Sequence, residues 1–256
     1  MSSLKLSANL GFLWTDRPLP DAVRAAKKAG FEAVELHWPY DTDTGALTAA
    51  LAETGLPVLG LNTLRGDVAA GEFGLAAVPG REDEAREYFD RALDYARAIG
   101  ATNIHVMAGK ASGEAALQCF VAHLRWARDR AASHDIGILI EPLNLRDVPG
   151  YFLTDCAAAA DIVAACGGAG IRIMFDCYHM QIMGGDILSR FKRFQGSIGH
   201  IQFAAVPDRT EPDHGELDHA WLLPELTKAG WTGYFGAEYK PAKDTDAGLG
   251  WMTRFR

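Results

Sequence analysis

Nowhere in the 256-residue chain do about 18 apolar residues run together, the length a membrane-spanning helix requires. The opening residues, MSSLKLSANLG, lack an apolar core long enough for a secretory leader, so a cytoplasmic protein without a membrane partner is expected. Cysteine is scarce: Cys119, Cys156, Cys166 and Cys177 show no CxxC spacing, which argues against a disulfide framework and for reduced, mostly buried thiols. Basic residues are outnumbered, 25 Lys and Arg against 33 Asp and Glu, for a formal net charge of -8. Neutralising a phosphate backbone calls for a basic face, so no nucleic-acid partner is expected. Internal repeats and low-complexity linkers are missing too, and one domain over residues 1–256 is the simplest organisation.

What the chain does contain is a series of short apolar segments that end in an oxygen-bearing side chain. IGILIEPLN, from Ile136 to Asn144, is apolar enough for a strand covered on both faces, as in a parallel sheet. Pro142 cannot donate to a ladder and marks the exit, leaving Glu141 at the strand end. IRIMFD ends in Asp176, IGHIQ in Gln202 and GYFGAE in Glu238. Four successive strands would bring these oxygens to one end of a sheet. Converging carboxylate and amide oxygens suit one hard divalent cation, Mg or Mn.

Strands are expected at Lys5 to Leu10, Phe31 to Trp38, Leu56 to Asn62, Asn103 to Ala108, Ile136 to Leu143, Ile171 to Asp176, Ile198 to Gln202 and Gly233 to Glu238. Helical periodicity covers Pro18 to Ala29, Thr44 to Thr54, Arg81 to Ile99, Ser112 to Ser133 and Gly185 to Phe194. A helix capped by Thr154 runs to Cys166, another spans Ala220 to Ala229, and a short one lies in the tail from Lys243 to Arg256. Gly30, Gly55, Gly100 and Gly230 stand as helix stops. About eight βα units in roughly 250 residues predict an α/β protein, a single (β/α)8 TIM barrel. The loops after its strands then form the active face. One of them, Thr63 to Gly80, is long for a structureless connection, as lids and binding loops are.

Three carboxylates and one amide around a divalent cation leave a negative excess, so an anionic substrate needs cations nearby. Arg209, Lys240, His179 and His200 are available; His200 shares a strand face with Gln202 and is an alternative ligand.

Over nearly its whole length the chain resembles the hydroxypyruvate isomerase family within the xylose-isomerase-like barrels. The resemblance is carried by LSANL, GDVAAGEFGLAAVPGRE, HVMAGK, IEPLNLRDVPGYFLTD, FDCYHMQIMGGD, GHIQFAAVPDRTEPDHGE and GAEYKP. It implies Glu141, Asp176, Gln202 and Glu238 as metal ligands, with Glu141 and Glu238 as proton donor and acceptor. Sugar epimerases of the wider superfamily carry His in place of Gln202, which sets this chain with enzymes of small acids. NTLRGD, VPDRTEPDHGE and AGLGW are similar to a sister group, the 2-oxo-tetronate isomerases, whereas IEPLNLRDVPG is closer to the hydroxypyruvate isomerases.

The implied reaction is metal-assisted proton transfer through an enediolate, taking hydroxypyruvate to tartronate semialdehyde. Arg209, His179, His200, Lys240 and Asp147 are the residues expected to hold the hydroxy- or oxo-acid substrate, with the Thr63 to Gly80 loop closing over it. The alternatives are the four-carbon 2-oxo acid, a neutral sugar, and a sugar-binding barrel without activity. A phosphodiesterase of the apurinic-endonuclease kind would need more His and Asp ligands and a basic groove. A homo-oligomer is compatible with the sequence.

Overall fold

Short apolar strands of this kind must be covered on the outside and filled on the inside, and the computed structural model, which describes residues 4–255, does both. The strands are β1 (Leu6–Asn9), β2 (Ala33–Glu35), β3 (Leu61–Asn62), β4 (Asn103–His105), β5 (Gly137–Ile140), β6 (Ile171–Asp176), β7 (Ile198–Phe203) and β8 (Phe235–Ala237). They form one parallel eight-stranded sheet in the order β2-β1-β8-β7-β6-β5-β4-β3. Between β2 and β3 the ladder is reduced to a bridge from Val34 to Val58, and Leu36 N–H to Gly60 O at 2.9 Å helps to close the circle. This is the (β/α)8 barrel expected.

The outer layer consists of α1 (Leu19–Ala29), α2 (Thr44–Thr54), α3 (Glu82–Ile99), α4 (Gly113–Ala131), α5 (Cys156–Ala165), α6 (Cys177–Met183), α7 (Ile187–Phe194), α8 (His219–Lys228) and α9 (Thr245–Gly248). Gly30, Gly55 and Gly100 close α1, α2 and α3 with left-handed backbone, as the sequence suggests. Ile138, Ile140, Ile173, Phe175, Ile201 and Phe203 are buried in the same core cluster as Phe89 and Leu93 of α3 and Phe120 and Leu124 of α4. Among the described residues, no helix is long and apolar enough to cross a membrane.

Some expected boundaries move. The third strand shrinks from Leu56–Asn62 to two residues, with the preceding segment held to β2 through the Val34–Val58 bridge. Asp155 rather than Thr154 caps α5, because its carboxylate accepts the N–H groups of Ala157 at 2.7 Å and Ala158 at 3.2 Å. The helix α6 was not anticipated: seven residues are too few for a readable period. The tail is a four-residue α turn followed by a 3-10 segment from Leu249 to Arg254, and residue 256 of the expected tail helix lies outside the described residues.

The inner layer departs from the bulky aliphatic filling usual in such barrels. Ser7, Asn9, Glu35, His105, Glu141, Asp176, His200, Gln202 and Glu238 are all buried. Gly236 makes room for them: a Cβ there would lie 2.2 Å from Glu35 Oε1 and 2.9 Å from Gln202 Cγ.

His123 of α4 is buried against Phe89 and Trp126, and burial, with a smaller effect from Arg86, pulls its pKa down to about 4. Below an unfolded value of about 6.5 the unfolded chain takes up a proton that the folded chain refuses. His123 therefore costs stability as pH falls from about 6.5 toward about 4, by about 1.4 kcal/mol per pH unit. Urea denaturation across this window is expected to show a slope shallower by one proton in His123→Leu; equal slopes would mean that His123 titrates normally in the fold.

Candidate active site

Strand ends place the carboxylates. Glu141 follows β5, Asp176 ends β6 and Glu238 follows β8, so all three emerge at the C-terminal face of the barrel. Together with His179 they offer buried ligand atoms that all lie within 4.8 Å of one another. Gln202 stands beside Asp176 in the β6–β7 register. Three of the four expected ligands thus converge directly, and the fourth is their strand neighbour.

Asp176 does two things at once. Its Oδ1 caps α6 by accepting the Tyr178 N–H at 2.8 Å, and its Oδ2 lies 3.6 Å from His179 Nε2 and 3.4 Å from Arg209. His179 follows one helical turn later, with Nε2 also 3.8 Å from Glu141 Oε1. Its Nδ1 accepts the backbone N–H of Asn144 at 3.0 Å. A neutral imidazole that accepts at Nδ1 carries its proton on Nε2, so His179 faces the carboxylates as a donor.

The orientation of Gln202 follows from the layer beneath. Its Nε2 donates to Glu35 Oε2 at 2.7 Å, while Glu35 Oε1 takes the Ser7 hydroxyl at 2.5 Å and lies 3.0 Å from His200 Nε2. Gln202 Oε1 is left buried with no hydrogen-bond partner, as is Glu141 Oε1. Orphaned buried acceptors cost about 1–3 kcal/mol each. Glu141 Oε1 belongs to the cluster with Asp176 and Glu238, and Gln202 is the strand neighbour of Asp176; buried oxygen acceptors of this kind fit a hard divalent cation.

Charge is managed unevenly across the cluster. Burial, then Glu238 and Asp176, raise the pKa of Glu141 well above the usual carboxylate range. Burial lifts Asp176 to about 7 against the pull of Arg209. Burial also works against an ionised Glu238, yet Arg209 and His37 outweigh it and hold Glu238 at about 2. Its Oε1 accepts from Asn9 at 2.9 Å and from His37 at 2.8 Å, and its Oε2 is paired with Arg209. Arg209 reaches this position from a left-handed backbone conformation, φ 59°, in the loop after β7.

Glu141 and Glu238 open into a cavity of about 440 Å³. Lys240, exposed, and Asp147 line it; Asp147 accepts from Tyr178 Oη at 2.7 Å and Asn144 Nδ2 at 3.1 Å. Arg209 also lines it, but with its guanidinium engaged by Glu238 and Asp176. Of the residues expected to hold substrate, His200 does not line this cavity and packs one layer deeper beside Glu35; of the expected ligands, Asp176 and Gln202 do not line it either. Because alternate residues of β7 share a face, His200 points inward like Gln202 but lies about 7 Å lower along the strand.

Residues overlooked in the sequence include His37, His105, Glu35, Asn144, Trp38 and Arg65. His37 and His105 sit at strand ends like the carboxylates, and the same rule would have found them. Asn144 and Arg65 act from loops, where no period points to a face.

Removing Arg209 leaves Glu238 and Asp176 without their buried countercharge. With chelator present, Arg209→Met is expected to lower stability by about 3–5 kcal/mol in urea denaturation. A loss under about 1 kcal/mol would show that other groups hold these carboxylates.

The model of the xylose isomerase-like TIM barrel family matches residues 23–255. A 2-oxo-tetronate isomerase from Cupriavidus necator is 42% identical over 97% of this chain and 97% of its own. The hydroxypyruvate isomerase of Escherichia coli is 37% identical over 99% of this chain and 100% of its own. A crystal structure of a Brucella melitensis protein, described as AP endonuclease, family 2, superposes with a TM-score of 0.94 at 38% identity, covering 99% of both chains. With relatives of this similarity along its full length, the chain is an isomerase and belongs to the xylose isomerase-like TIM barrel family.

Proposed function

We propose that this chain isomerises a short 2-oxo acid bearing a hydroxyl on C3, with hydroxypyruvate, converted to tartronate semialdehyde, as the smallest such substrate. The observation that carries the reading is the buried cluster itself: Glu141, Asp176 and Glu238 at one end of a barrel, with unpartnered oxygens on Glu141 and Gln202. A divalent cation, Mg or Mn, held by Glu141, Asp176, Gln202 and Glu238 would act as Lewis acid toward the substrate's carbonyl and neighbouring hydroxyl oxygens.

The remaining work falls to side chains. With Oε1 of Glu141 turned to the cation, its second oxygen takes the proton from C3. Loss of that proton leaves an enediolate, and protonation at C2 completes the shift of the carbonyl. Glu238, fixed by Asn9, His37 and Arg209, is the second carboxylate of the pair. His179 presents its Nε2 proton to negative charge developing on substrate oxygen. Trp38, Phe73 and Leu143 line the cavity and exclude water from the reacting carbons.

A four-carbon substrate, 2-oxo-tetronate, is the second reading. It is supported by the cavity volume of about 440 Å³, which leaves room beyond C3 for a further hydroxymethyl group, and by the name of the Cupriavidus relative. The net charge of -8 speaks against a nucleic-acid substrate.

An activity panel of hydroxypyruvate, 2-oxo-tetronate and neutral ketoses, with and without chelator, tests the reading. Turnover of an oxo acid that chelator abolishes and Mn restores is expected. Glu141→Gln and Glu238→Gln are expected to cut kcat by about 10² to 10⁴. Turnover in deuterated water places deuterium at C2 of the product if the base exchanges with solvent. Undiminished rates in both variants, with the substrate hydrogen fully retained, would rule out either glutamate as the base.

A further inference from the structure

Arg65, Arg209 and Lys240 are the Lys and Arg residues lining the cavity, and they are not equivalent. Arg209, its side chain 14% exposed, is paired with both Glu238 and Asp176, so its charge is already compensated. Lys240 is exposed, its ammonium 5.6 Å from the ring centre of Phe12. Arg65 is half-buried and makes no ion pair among the described residues. Burial lowers its pKa, as it does for a cation without a partner carboxylate.

Its position is nonetheless well defined. The guanidinium lies 3.7 Å from the ring centre of Trp38, whose indole N–H donates to Thr63 O at 3.0 Å. The Arg65 carbonyl accepts the Gly74 N–H at 2.7 Å. Next to it Gly66 has φ +88°, and a Cβ there would meet Glu72 Oε2 at 2.2 Å. Glu72 in turn accepts the Asp67 N–H at 2.7 Å and pairs with Arg81 at 2.6 Å. The strand-three loop is thus pinned as a wall. Trp38 also neighbours His37, ring centres 4.9 Å apart, and His37 bonds Glu238 at 2.8 Å, which sets Arg65 on the rim of the same site.

A guanidinium stacked on an aromatic face keeps its N–H donors free in its own plane, where they match a carboxylate bidentately. We propose that Arg65 recognises the carboxylate of the substrate and so selects an acid over a neutral sugar; this rests on the isomerase reading above. The reacting carbons then lie toward Glu141 and Glu238, and the carboxylate toward Trp38. Lys240 contributes long-range attraction at the mouth, and Arg209 holds the catalytic carboxylates.

Titration with glycerate and with its neutral counterpart glyceramide, on Mn-loaded wild type, Arg65→Leu and Arg65→Lys, tests this. Arg65→Leu is expected to weaken glycerate binding by about 10- to 100-fold, to leave glyceramide within about twofold, and to raise KM for the oxo acid far more than it changes kcat. Arg65→Lys is expected to recover part of the glycerate affinity. Equal losses for both ligands would show that Arg65 merely supports Trp38, and unchanged glycerate binding would place the carboxylate elsewhere; either result overturns the proposal. If glycerate binding depends on Arg65 but no oxo acid is turned over, the isomerase reading fails while the carboxylate site stands. If wild type isomerises an oxo acid and Arg65→Leu does so with the same KM, only the Arg65 assignment fails.

Discussion

Negative charge confined inside a barrel is the constraint on which the rest of this structure depends. Glu35, Glu141, Asp176 and Glu238 are all buried within one parallel sheet, and each ionised carboxylate there must find donors or another cation. Glu35 is supplied by Ser7, Gln202 and His200, and Glu238 by Asn9, His37 and Arg209. Glu141 is the least supplied, with one oxygen unpartnered. This least compensated carboxylate lies on the cavity wall, where a cation or a substrate can reach it.

The layers of the interior are coupled. Glu35 accepts from the amide nitrogen of Gln202 and so turns its carbonyl oxygen away, while Gly236 gives up a side chain so that Glu35 and Gln202 fit. In the same way Asn144 accepts at the side chain from the Asp147 N–H, donates its backbone N–H to His179, and so decides which imidazole nitrogen carries the proton. Positioning residues of this kind set the protonation and direction of their neighbours without approaching the cavity centre.

The connection after β3 has a different character from the open lid suggested by its glycine content. Residues 67–71 face solvent, but both flanks are bonded down: Gly74 bridges Ala108, and Glu72 ties Arg81 to the loop backbone. Its glycines permit close approach and left-handed turns, and the same freedom that reads as mobility in a sequence here serves rigid packing.

Much of this was legible in the chain itself. Apolar strands broken by glycine-stopped helices determine a barrel, because period and turn chemistry are local properties that survive without tertiary context. The same rule puts Glu141, Asp176, Gln202 and Glu238 at one end of the sheet, since a parallel barrel sends every strand terminus to the same face. Tertiary structure alone decided the rest. Whether His200 reaches the cavity depends on how far along β7 it lies, and whether Arg209 is free depends on the distance to Glu238. The donor role of His179 is fixed by a backbone N–H contributed 35 residues away. The unpaired charge of Arg65 depends on every carboxylate that does not reach it. Spacing in a sequence can carry a strand end to a face, but charge compensation is a property of distances between segments, and those exist only once the barrel has closed.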